Sequence, residues 1–149
     1  MFNLDLTFAI LHHLAVFTLV GIIAAEFVLL RPGLSGQRLT QLAAIDRLYG
    51  IAAGLVIIIG IARVFWGGKG WEFYVGSNMF WGKMLAFLVV GLLSVPPTIA
   101  FSRWTSSLAA DPAFAPPPAE LARSRRFLHA EVLILVLIPI FAAAMARGY

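Results

Sequence analysis

Four long apolar runs of this sequence carry ionisable side chains at positions that would lie inside a membrane. The runs and their ionisable residues are 6–30 with His12, His13 and Glu26, 48–65 with Arg63 and the preceding Asp46 and Arg47, 80–101 with Lys83, and 127–146 with His129 and Glu131. A charged side chain in hydrocarbon costs about 2.5–3.5 kcal/mol on insertion scales, so such residues commonly face a site inside a helical bundle. We therefore expect an inward-facing polar site.

These residue types suit ligand binding, but each also has a simpler role. A neutral imidazole is a good iron ligand, and arginine and lysine form charge-assisted hydrogen bonds with carboxylates. A histidine can instead hydrogen-bond between helices, and Arg63 and Lys83 are near enough to the ends of their runs to extend to the membrane surface. The sequence is compatible with both kinds of role.

The composition indicates a membrane protein built from helices. The 149 residues are 61% hydrophobic and 12% charged, whereas soluble domains are about half apolar and a quarter charged. A helix of about 20 residues crosses the hydrocarbon core, and a helix satisfies its own backbone hydrogen bonds there. We predict an all-α integral membrane four-helix bundle, a single transmembrane domain over residues 1–149. Prolines inside the last two runs (Pro96, Pro97 and Pro139) predict kinks.

Arginine placement predicts the orientation of the chain. The connections after the first and third runs are rich in arginine, whereas both termini are nearly uncharged. The positive-inside rule then places these connections in the cytoplasm and both termini in the periplasm, for a protein of the bacterial inner membrane. The net charge of +4 reflects these connections and does not indicate nucleic-acid binding. Because Met1–Asp5 has no basic region, we interpret the first run as a retained span and not as a signal peptide.

This orientation sorts the ionisable residues by depth. His12, His13, Arg63 and Lys83 fall in the outer half, and the inner half holds a predicted structural polar cluster with a better balance of charge. That cluster consists of Glu26, Asp46, Arg47, His129 and Glu131, with Glu26 or Glu131 pairing with Arg47. His12 and His129 lie roughly 20 Å apart along the bundle axis, too far to ligate one haem iron from both faces.

The helical repeat separates the two neighbouring histidines. His12 and Glu26 are fourteen residues apart, close to four turns, so they share one face of the helix. His13 points about 100° away from that face. His12 is therefore the better ligand candidate, and His13 is the second one.

Several segments resemble known membrane protein families. Leu11–Arg31, Ile45–Gly50 (IDRLYG), Phe80–Thr98 and Arg125–Gly148 resemble an uncharacterised family of bacterial four-span membrane proteins. A more distant likeness is to HemJ-type protoporphyrinogen oxidases, carried by His12-His13-Leu14-Ala15-Val16, by Lys83 in WGKML and by Arg126–Glu131. CopD-type membrane proteins look like members of the same broader group. The aromatic and proline residues after the HemJ histidine, and its final-helix Asn-Glu pair, are not intact here.

The HemJ resemblance implies haem b and redox chemistry. It implies His12 as the metal ligand and Lys83 and Glu131 as catalytic residues. Arg63 and Lys83, at the same depth as His12, would pair with the haem propionates, and His13 is a further cofactor-binding candidate. Porphyrin or quinone would be the apolar partner, in a homo-oligomer within the lipid bilayer. The alternative is a non-catalytic accessory protein, or an oligomeric transporter of a metal or small molecule. With no cysteine and four methionines, a soft-ligand copper site is not indicated.

Overall fold

The computed structural model describes residues 3–149, and Met1 and Phe2 lie outside the described residues. This part of the chain is helical and contains no strand. The helices are α1 Leu4–Leu29, α2 Gly36–Trp66, α3 Trp71–Val75, α4 Asn78–Ala110, α5 Pro118–Leu135 and α6 Leu137–Ala146. Four helical stretches are long and apolar enough to cross a membrane: α1, α2, α4, and α5 with α6 taken together. The predicted all-α four-helix membrane bundle is therefore confirmed.

Short polar signals set the ends of α1. The Asn3 side chain accepts hydrogen bonds from the backbone N–H groups of Asp5 and Leu6, so two donors that the first turn leaves free are satisfied. At the other end, Pro32 has no N–H to donate, and Gly33 adopts a φ of 83° that disfavours most other residues. The chain then turns directly into α2.

α2 and α4 extend well past the predicted apolar runs. α2 begins at Gly36, because the amphipathic segment before the apolar run continues the same helix. α4 has 33 residues, about 50 Å at 1.5 Å per residue against a hydrocarbon thickness of about 30 Å. The apolar runs locate the part of each helix that suits lipid, whereas the amphipathic extensions pack against one another beyond it.

The fourth span is broken between α5 and α6 at Val136. Pro139 follows four residues after Leu135, so it cannot donate to the Leu135 carbonyl and its ring crowds that group. This explains a break at that point, as the sequence predicts. Pro96 and Pro97 leave α4 continuous.

The helices pack in the order α1, α2, α4, then α5 and α6. We call the end of the bundle that holds Asn3, α3 and Tyr149 the termini end, and the opposite end the arginine end. The buried core, which includes Leu19, Phe101 and Trp104, fills the middle and the arginine end. There α1 also contacts α5, whereas α1 and α6 make no contact within the described residues and α6 buries no side chain. The bundle is thus closed at the arginine end and open between α1 and α6 at the termini end.

Candidate functional site

Three of the predicted site residues meet in the termini half of the bundle. His12 on α1, Arg63 near the end of α2 and Lys83 near the start of α4 are each half-buried. The charges of Lys83 and Arg63 both act on His12. We call these three residues the basic cluster. It joins one titratable imidazole to two cations from different helices.

Polar atoms of the basic cluster lack partners. Nδ1 of His12 and Nε of Arg63 are both buried without a hydrogen-bond partner. The Nζ atom of Lys83 lies 5.3 Å from the centroid of the Phe80 ring. Within the described residues, the ion pair with nitrogen and oxygen atoms closer than 4.0 Å is Arg103–Glu120, so neither Arg63 nor Lys83 is paired with a carboxylate. Two cations and an imidazole without a carboxylate partner make a site suited to an anionic group.

A glycine lets His12 lie against α2. A Cβ atom at Gly60 would lie 3.6 Å from Cε1 of His12 and 3.9 Å from Nδ1. An alanine would therefore touch the imidazole, and a larger side chain would displace it. Close approach of α1 and α2 at a small residue is a common packing device in membranes.

His13 lies beside the basic cluster but faces away from it. Its ring is 6.4 Å from that of His12, and the side chain is exposed. Nδ1 of His13 lies 2.6 Å from the carbonyl oxygen of Ala9 on the same helix. The 100° helical step between the two histidines thus separates an inward residue from an outward one, as the sequence predicts.

The arginine half holds a second cluster, formed by Glu26 of α1, Asp46 of α2 and Glu131 of α5. Their side chains are 2%, 8% and 1% exposed. Oε1 of Glu26 and Oε1 of Glu131 have no hydrogen-bond partner, whereas the Thr98 hydroxyl donates to Oδ1 of Asp46 over 2.8 Å. We call these three carboxyl groups the acid cluster. Three spans bring acids to one buried place.

The predicted balance of charge in this half is wrong. Arg47 is exposed and makes no ion pair with Glu26 or Glu131 within the described residues. His129 is also exposed, with Nδ1 2.7 Å from the Arg125 carbonyl oxygen. The helical repeat explains both: Arg47 is about 100° from Asp46, and His129 about 200° from Glu131. Equal depth in the membrane therefore did not place these residues on the inward face.

The sequence interpretation missed Tyr49, which belongs to the acid cluster. Tyr49 is 6% exposed, and its hydroxyl group lies beside Glu131 and Ser94. It follows Asp46 by three residues, which places both on the same face of α2. That spacing within the IDRLYG segment was the available signal.

Apolar packing separates the two clusters. Leu19 and Ile23, both buried, lie on α1 between His12 and Glu26, which are about 21 Å apart along the helix at 1.5 Å per residue. His129 contacts Phe27, with ring centroids 4.7 Å apart, and so lies roughly 22 Å from His12. This agrees with the expectation that the two histidines do not share an iron. Within residues 3–149, no three His, Asp or Glu side chains are grouped closely enough to hold a metal ion.

Comparison with known proteins identifies a family. No curated protein and no solved structure matches the chain, so the comparisons do not support the resemblance to HemJ-type and CopD-type proteins. A family model described as a predicted membrane protein (DUF2214) matches residues 4–149, almost the whole chain. The chain therefore belongs to the DUF2214 family of predicted membrane proteins.

Proposed function

We propose that this membrane protein binds haem b at the basic cluster and has a redox role. The observation that carries the proposal is the half-buried imidazole of His12 beside two cations that have no carboxylate partner within residues 3–149. A buried polar group without a partner costs free energy, and two neighbouring cations add to that cost. A ligand that bears both a metal centre and carboxylates would bind the imidazole through Nε2 and pair with both cations.

The residues present fit haem b. His12 would supply the iron ligand through its neutral imidazole, and Arg63 and Lys83 would hold the two propionates by charge-assisted hydrogen bonds. The opening between α1 and α6 would admit the ring from the membrane. When bound, the haem supplies a one-electron redox couple.

The chain's own residues would set the conditions of that chemistry. Gly60 leaves His12 room against α2, and the Phe80 ring beside Lys83 would limit access of water from the termini end. The α3 helix, which carries Trp71, Phe73 and Tyr74, contacts α2 and α4. Its aromatic side chains would lie at the membrane surface on that side, as in an aromatic belt.

Absorption spectra test the proposal. Protein purified in mild detergent from haem-replete cells is compared, oxidised and reduced with dithionite, for the wild type, His12→Ala and His13→Ala. We expect a Soret band with reduced b-type α and β bands in the wild type and in His13→Ala, and their loss in His12→Ala. His13→Ala is the matched control because its ring is adjacent but turned outward. Colourless wild-type protein, or bands that survive in His12→Ala, would refute the assignment.

The two cations are tested in the same preparation. Arg63→Gln and Lys83→Gln should each bind haem more weakly, because a charge-assisted hydrogen bond contributes about 1.5–3 kcal/mol, or roughly tenfold to a hundredfold in affinity. Lys69→Gln, a change of an exposed lysine, serves as the control. Equal haem retention in all three variants would remove the propionate role.

A further inference from the structure

A groove of about 320 Å³ lies between α2 and α4 on the membrane-facing side of the acid cluster. Its polar wall, toward the arginine end, is formed by Asp46, Arg47, Tyr49, Ser94 and Thr98. Its remaining wall, toward the middle of the membrane, is apolar. Ile57, Phe87 and Val90 are the main apolar residues there. The groove is therefore shaped for an amphipathic molecule with a polar head and an apolar tail.

The charges in the groove favour a neutral head group. One acid, Asp46, and one base, Arg47, stand with three hydroxyl groups along the polar wall. A phosphate would be attracted by Arg47 but repelled by the Asp46 carboxyl group. A cation would be attracted by Asp46 but repelled by Arg47. The Ser94 and Thr98 hydroxyl groups already donate to the Gly91 carbonyl oxygen and to Asp46, so the exposed Arg47 guanidinium is the donor that a ligand would meet. A neutral dipolar head that accepts hydrogen bonds from this guanidinium meets neither repulsion. This argues for a neutral carbonyl compound over an anionic phospholipid.

The dimensions favour a flat ring. The groove volume lies near the lower end of the range for small-molecule sites, about 300–1,000 Å³. From Asp46 to Ile57 it extends roughly 16 Å along α2, close to the depth of half a bilayer core. At Gly50 and Gly91, which face each other's helices across the groove, a Cβ atom would meet nothing within 4 Å. Because neither glycine has a side chain, the helix backbone itself forms a flat wall of the groove at both positions.

The acid cluster lies directly behind the polar wall. Asp46 and Tyr49 both line the groove, and the hydroxyl group of Tyr49 lies beside Glu131. Glu26 and Glu131 each keep a buried oxygen free. A carboxyl group that lines the groove and belongs to a cluster of buried acids is suited to exchange protons with a ligand there. A ligand whose oxygens change protonation with redox state would use this arrangement, whereas a structural lipid would not.

We propose that this groove binds the head group of a membrane quinone. The ring lies between the backbones at Gly50 and Gly91, and a carbonyl oxygen accepts hydrogen bonds from the Arg47 guanidinium. The isoprenoid tail follows the apolar residues toward the middle of the membrane. The acid cluster is the place where protons are exchanged with the head group. A redox role for the bound quinone rests on the redox function proposed above, whereas the binding of quinone in the groove does not.

Calorimetric titration with decyl-ubiquinone tests the site, using full-length protein in nanodiscs that contain no quinone. Gly91→Leu should weaken binding at least about tenfold by filling the groove, since a Cβ atom there meets open space and the fold is expected to tolerate it. Gly21→Leu is the matched control, because Gly21 is an exposed helical glycine outside the groove, also with nothing within 4 Å. Arg47→Gln should weaken binding about tenfold to a hundredfold by removing the charged donor.

The outcomes separate this proposal from the haem proposal. Quinone binding in haem-free His12→Ala that is lost in Gly91→Leu supports the groove whatever the spectra show. No binding to the wild type, or equal binding by Gly91→Leu and Gly21→Leu, overturns the quinone proposal even if haem is present. Displacement of a co-purified phospholipid by lysophospholipid, with no response to decyl-ubiquinone, overturns it in favour of a lipid occupant.

Discussion

Replacing Glu26 or Glu131 by glutamine should cost the protein little stability, although both residues are buried and acidic. Their side chains are 2% and 1% exposed, each has an unpartnered oxygen, and no cation pairs with them within residues 3–149. A charged group in such surroundings is very costly, so the uncharged carboxylic acid is the form that fits there. Glutamine has nearly the same shape and is also uncharged.

The expected magnitudes follow from this difference. A volume-conserving exchange in a core costs less than about 1.5 kcal/mol, so Glu26→Gln and Glu131→Gln should lie within that range. Alanine removes the carboxyl group and a methylene from a site that is closed to solvent, so it should cost about 2–4 kcal/mol, as other large-to-small changes do. If the carboxylates were ionised and held by a cation, glutamine would cost about 3–5 kcal/mol.

The measurement is reversible unfolding of the protein in mixed micelles, followed by tryptophan fluorescence, because Trp104 is 1% exposed. Infrared spectra of the same variants report the absorption of protonated carboxyl groups, which should decrease in each glutamine variant. Glu72→Gln, at an exposed position, is the control and should change the free energy of unfolding by less than about 0.5 kcal/mol. Glutamine variants that lose 3 kcal/mol or more, without a protonated-carboxyl band in the wild type, would refute the reasoning.

Three further predictions concern single contacts and orientation. Thr98→Val removes the hydroxyl that donates to Asp46. In the same unfolding assay it should lower the free energy of unfolding by about 0.6 kcal/mol, the mean for such hydrogen bonds in membranes. A double-mutant cycle with Asp46→Asn should show coupling between the two residues, and additive losses would contradict the prediction. Pro139→Ala restores a donor for the carbonyl of the residue four positions earlier, so hydrogen exchange across the α5–α6 break should slow; unchanged exchange would mean that packing causes the break. Lys69→Cys should react with an impermeant maleimide added from the periplasm, and Ser106→Cys only with maleimide added from the cytoplasm. Because the sequence has no native cysteine, any labelling comes from the introduced residue. The reverse pattern would contradict the predicted orientation.

The sequence by itself determined the class of the fold and the positions of its spans. Apolar runs of sufficient length require helices in lipid, since backbone groups there have no water to bond. Local sequence signals also determined the start of the first helix and the break in the last span. Asn3 caps α1, and Pro139 accounts for the break in the last span. The helical repeat was enough to separate His12 from His13, because both lie on one helix of known geometry.

Only the tertiary structure decided which polar residues meet. Depth in the membrane grouped Arg47 and His129 with the acids, but the rotation of each helix about its axis depends on packing with its neighbours. That rotation turned both residues outward and left Glu26, Asp46 and Glu131 together without a cation within the described residues. It also brought Tyr49 to the acids and opened the groove between α2 and α4. Contacts between helices far apart in the chain depend on the fit of whole surfaces, which no single segment encodes.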